Sequence, residues 1–178
     1  MADTEKTANV LVIVDAESLY QDKQGSLSTD SNSPLDLGDQ TPYIYMFVRQ
    51  DDVLSGQAAD NLSFTVNTNN IIRWRIASLT GNTRFSVSLS GCDIIRGVDL
   101  LSQPTFIEPI VTVPVPSVNG YQVNVNQTQT YTDSYYQATA VNPSADPVYY
   151  KLEFALADND GDILGYFSWG GPQISINS

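Results

Sequence analysis

Apolar and polar residues alternate with a period of two through most of this chain. Between Ile71 and Ser78, Ile72, Trp74 and Ile76 fall on one face and Arg73 and Arg75 on the other, before the breaker cluster Ser78-Leu79-Thr80-Gly81-Asn82. From Val148 to Leu156, the residues Val148, Tyr150, Leu152, Phe154 and Leu156 alternate with Tyr149, Lys151 and Glu153. Such spacing predicts strands with one face in a core and one face wet. Further strands are predicted near Asn9 to Asp15, Tyr43 to Gln50, Leu62 to Asn67, Arg84 to Cys92, Thr105 to Glu108, Tyr121 to Asn126, Tyr135 to Val141, Ile163 to Ser168 and Gln173 to Ile176. Almost nothing reads as helix. The pattern predicts an all-β, two-sheet antiparallel β-sandwich of about ten strands, jelly-roll or immunoglobulin-like, formed by one domain over residues 1–178.

Four segments depart from the simple alternation. VLVIV (Val10 to Val14) and YIYMFV (Tyr43 to Val48) are apolar on both faces, so each must be central or covered on its outer side. The cover expected is a second copy of the chain in a two-fold homodimer, because the polar loop predicted at about 21–41 offers little beyond Leu27, Leu35 and Leu37. Pro104, Pro109, Pro114 and Pro116 exclude a central ladder position and predict an extended crossing between sheets.

Composition narrows the function classes. The 178 residues carry 8 basic and 20 acidic side chains, a net charge of −12. The first 60 residues alone hold 11 acids against 3 bases. Nucleic-acid partners and anionic membranes require a cationic surface, so neither is expected. No apolar run is long enough to span a bilayer, and MADTEKTAN lacks the cationic flank of a secretory signal, which predicts a cytoplasmic product. The single cysteine, Cys92, excludes an intrachain disulfide and reads as a small core residue.

Histidine is absent, which removes the commonest general base, the Ser-His and Cys-His pairs and the usual zinc sites. No enzyme is predicted and no cofactor is required. Asp15 and Glu17, closing the first apolar run, read as a solvated strand end or a salt-bridge partner. Asp158, Asp160 and Asp162 alternate around Gly161 like the opening of a calcium loop, but no bidentate Glu follows, and Asp-Gly between strands is also a hairpin signal. Tyr131, Tyr135, Tyr136, Tyr149 and Tyr150, with Asn124, Asn126, Gln127 and Gln129, could build a carbohydrate-binding face on which sugar rings stack, or simply pack as strand residues.

The segments ANVLVIVDAESLY, YIYMFVRQDDVLSGQAADNL, IIRWRIASLTGN and LGYFSWGGPQISI together resemble the bacterial inclusion body protein family that includes PixA and AidA. The resemblance spans nearly the whole chain. It implies a small cytoplasmic bacterial protein without catalytic residues, deposited by some members as intracellular inclusions. In other members it implies production under quorum-sensing or phase control in host-associated bacteria. Only Met1 and Met46 are methionine, so a methionine-storage role is not implied here.

Overall fold

A computed structural model describes residues 6–81, 83–119 and 122–178. Asn82, which closes the first breaker cluster, Tyr121, which opens a predicted strand, and the Asn126 side chain lie outside the described residues. In chain order the elements are β1 (Thr7–Val14), α1 (Ala16–Lys23), β2 (Leu35–Asp36), β3 (Ile44–Phe47), β4 (Val53–Ser55), β5 (Ser63–Asn67), β6 (Ile71–Ser78) and β7 (Ser86–Arg96). They continue with β8 (Thr105–Ile107), β9 (Ile110–Asn119), β10 (Gln122–Thr132), β11 (Tyr135–Thr139), β12 (Ser144–Ala157), β13 (Ile163–Trp169) and β14 (Gln173–Asn177).

The all-β expectation holds, but the architecture is not ten strands in two antiparallel sheets. Fourteen strands are described, in a five-stranded sheet ordered β3-β1-β6-β11-β8, a seven-stranded sheet ordered β2-β13-β12-β14-β5-β4 with β7 also paired to β12, and the separate pair β9-β10. Three pairings are parallel: β1 with β6, β14 with β5 and β13 with β2. Side-chain alternation is the same in parallel and antiparallel strands, so the sequence pattern carries no direction.

The two larger sheets share one hydrophobic cluster. The first contributes Val10, Val12, Val14, Ile44, Met46, Ile72 and Trp74, and the second contributes Phe64, Val148, Tyr150, Leu152, Phe154, Leu156, Phe167 and Trp169. Trp74 and Tyr150 meet with ring centroids 5.4 Å apart, and Phe154 lies 5.3 Å from Phe167 and 5.8 Å from Trp169.

The sequence expected a loop or strand end where α1 forms. The Asp15 carboxylate accepts the Ser18 N–H at 3.2 Å and the Ser18 hydroxyl at 2.8 Å, capping the helix. Glu17 in the first turn and Lys23 in the last suit the helix dipole, while Ala16 and Leu19 bury one face. Asp15 is thus an N-cap, and Glu17 is ion-paired with Arg84. The rest of the expected 21–41 loop closes the edge of the second sheet: Tyr166 donates its N–H to the Ser28 carbonyl at 2.7 Å, and Leu37 donates to Ser168 at 2.8 Å. It does not cover β1 or β3. Leu11 and Phe47, directly opposed on the outer face, are 42% and 36% exposed.

The expected proline-rich crossing is instead β8 followed by β9, and among the described residues β9 and β10 pair only with each other. Asp133 at the root of this hairpin donates its N–H to the Pro109 carbonyl at 2.9 Å, and its carboxylate lies 3.0 Å from Arg75. Arg73 on the same face donates to Gln137 at 2.8 Å.

Because Trp74 is completely buried at the contact between the sheets, Trp74→Ala should destabilise the fold by about 3–5 kcal/mol. Urea denaturation measures this, and a loss under about 1 kcal/mol would contradict the placement.

Candidate functional site

A cavity of about 490 Å³ opens where β12 changes partner. Leu152 pairs with Trp169 of β13, whereas Tyr149 pairs with Gln173 of β14, so Gly170, Gly171 and Pro172 leave the ladder between them. Gly171 is required by its backbone, and Gly170 leaves room for a neighbouring side chain. A Cβ on Gly170 would sit 3.0 Å from the Asp39 carboxylate, and one on Gly171 would sit 3.1 Å from the Asp39 carbonyl in a backbone with φ +100°. Tyr149, Tyr150 and Lys151 of β12, Ile95 and Arg96 of β7, and Asp36 and Asp39 complete the lining.

Much of the charge around this cavity is answered within the chain. The Lys151 ammonium lies 2.9 Å from Glu153, whose hydrogen bond raises the lysine pKa against the effect of burial. Arg96 stands 5.8 Å over the Tyr149 ring and 3.8 Å from Asp146. Burial pushes the Tyr150 hydroxyl well above the ordinary tyrosine range, with Trp74 working partly against it. The lining holds no Ser, Thr, Cys or His, and its polar groups are the side chains of Asp36, Asp39, Arg96, Tyr149, Tyr150 and Lys151. Sequence reading singled out Tyr149 and Tyr150 here but missed Asp36, Asp39, Arg96 and Lys151. The signal available was Gly170-Gly171-Pro172, two glycines and a proline interrupting apolar strands.

The predicted site residues are dispersed. Asp158 is the organiser of the β12–β13 turn: its carboxylate accepts the N–H groups of Asp160 and Asp162, both at 3.0 Å, while Gly161 takes φ +86°. Asp160 and Asp162 are exposed. Among the described residues no group of three or more His, Cys, Asp or Glu is placed to hold a metal ion. Tyr135 is buried on the outer face of the first sheet, beneath Arg75 at 4.3 Å and Arg73 at 5.0 Å. Tyr136 points the other way, packs at a tilt against Phe106 with ring centroids 5.2 Å apart and donates its hydroxyl to the Ser90 carbonyl at 2.9 Å. Tyr131 stands exposed on β10 with Asn124, Gln127 and Gln129. The three tyrosines therefore do not share a face.

A sequence profile of the PixA family, described as inclusion body protein, matches residues 6–176. The chain belongs to the PixA inclusion body protein family. The structure is also similar to the crystal structure of a PixA-family inclusion body protein from Burkholderia cenocepacia J2315, with a TM-score of 0.78 at 16% identity, over 99% of this chain and 98% of that one. At that identity the likeness establishes the common fold. Comparison with curated proteins gives no match. The PixA match runs through β1 to β14, so it embraces the sheets, the cavity and the β9-β10 hairpin alike.

Cys92 lies in the core, 4% exposed, and burial, aided by the nearby Asp93, pushes its thiol up to about 12 from 9.0. Iodoacetamide at pH 8 should leave native protein unmodified and label it only after unfolding; rapid native labelling would contradict this environment. The raised value favours the neutral thiol in the folded state. Its contribution to stability is therefore complete below about pH 9 and is lost as pH climbs toward 12.

Proposed function

We propose that this protein is a non-catalytic, self-associating inclusion-body protein of the bacterial cytoplasm, whose product is an ordered protein deposit. The observation that carries this reading is family membership over residues 6–176. Production in a host-associated bacterium, under quorum-sensing or phase control, belongs to the same reading and rests on the family resemblance.

Assembly chemistry is available on the surface. On the outer face of the first sheet, Leu11 opposes Phe47 and Ile13 opposes Tyr45, forming an apolar band across β1 and β3. Growth into a deposit requires more than one kind of contact, because a two-fold dimer buries the same patch on both partners and then stops. The net charge of −12 works against every such contact at low ionic strength.

Sedimentation equilibrium at micromolar concentration tests the reading. Masses above the 19.5 kDa of one chain are expected, rising with salt and as pH falls toward the isoelectric value of about 4.1. A constant mass of 19.5 kDa under all these conditions would refute self-association. Association that weakens with salt would instead assign the contacts to ion pairs and overturn the apolar-face argument.

A further inference from the structure

We infer that the open edge of β10 is the strand-pairing contact through which two copies of this chain first associate, forming a four-stranded sheet ordered β9-β10-β10-β9 across a two-fold axis. The inference rests on the self-association proposed above and names its contact.

The hairpin is built as an arm. Its ten-residue strand β9 extends about 33 Å at 3.3 Å per residue. None of its described side chains is buried, and Ile110, Val123 and Val125 are 77%, 63% and 55% exposed. An isolated two-stranded hairpin is marginal in water, so this one calls for further strands.

Its two edges are not equivalent. In an antiparallel ladder, residues alternate between those whose N–H groups point at the partner strand and those whose N–H groups point away. Asp133 donates to Pro109 at the root, so the odd-numbered positions of β9 point inward. Thr112 and Thr130 oppose one another with hydroxyls 3.0 Å apart, as in the closer, non-hydrogen-bonded pairs. Pro114 and Pro116 therefore fall at outward positions of β9, where they remove the donors that another strand would use. β10 contains no proline, and on the root side of the β-bulge that interrupts its ladder between Asn124 and Gln127, Thr128, Thr130 and Thr132 present their N–H and C=O groups to its free side. The arm can accept a strand on β10 and resists one on β9.

Charge selects a second copy as the occupant. Residues 109–132 carry no Asp, Glu, Lys or Arg, in a chain with 28 charged side chains and a net charge of −12. Two arms side by side bring no like charges together. Antiparallel, they set the two acidic bodies at opposite ends of a ribbon about 30 Å long, well beyond the screening length of about 8 Å at physiological salt. Self-pairing is also closed, since it leaves the proline-blocked β9 strands outermost on both sides.

Thr128→Pro tests the contact, because it copies on β10 what Pro114 does on β9 and spares the inward ladder. In sedimentation equilibrium the wild type should weigh about 39 kDa, twice the 19.5 kDa chain, at concentrations where the variant weighs 19.5 kDa with unchanged near-ultraviolet circular dichroism. Leu11→Lys, on the apolar sheet face, should keep the 39 kDa species. A Thr128→Pro dimer, or a monomeric Leu11→Lys, would overturn the arm contact while leaving self-association standing. A wild type that is monomeric throughout would overturn both.

Discussion

The contact of Trp74 with Tyr150 is the point on which the rest of the fold depends. Trp74 is the inward residue at the middle of β6, paired in register with Val10 on one side and Tyr136 on the other. Tyr150 stands near the middle of β12, the fourteen-residue strand that pairs with β7, β13 and β14. Both are completely enclosed. Locking the two sheets there fixes which face of every neighbouring strand is inside. It thereby also fixes which residues face outward: the Leu11 and Phe47 band on one sheet, and the cavity lined by Lys151 and Arg96 on the other.

Much of this was legible because burial and alternation are two views of one constraint. Val148, Tyr150, Leu152, Phe154 and Leu156 alternate in the sequence, and all five are fully buried. The bounds read for Ile71 to Ser78 are those of β6. What failed was whatever alternation does not encode. Helix α1 is eight residues with a weak apolar stripe, and only Asp15 with Ser18 marks its start. β2 is two residues long and exists through its parallel pairing with β13, a partner more than 120 residues away that no local pattern announces. Pro114 and Pro116 argued correctly against a central strand, yet an edge strand tolerates proline, which is how β9 forms.

The site chemistry was less legible than the fold because it depends on side chains brought together from distant segments. Asp158, Asp160 and Asp162 form a compact acidic run, but Asp158 spends its carboxylate on the turn's own N–H groups. Tyr135 and Tyr136 are neighbours in sequence and therefore opposites in a strand. The family likeness was carried by whole patterned segments, not by a catalytic signature, in keeping with a protein whose proposed role is to associate.

The association proposed here faces one conflict, a body of net charge −12 meeting its own copies. In that proposal an uncharged arm with one proline-blocked edge and one open edge resolves it geometrically, and the Arg75–Asp133 pair ties that arm to the sheet that carries Trp74. Amide hydrogen exchange, followed as protein concentration is raised through the range in which mass increases, tests this account most directly. The outward amides of Thr128, Thr130 and Thr132 should pass from fast exchange to protection, while the inward amides of Gln129 and Tyr131 stay protected relative to them throughout. Outward amides that exchange equally fast on both sides of the mass transition would contradict it.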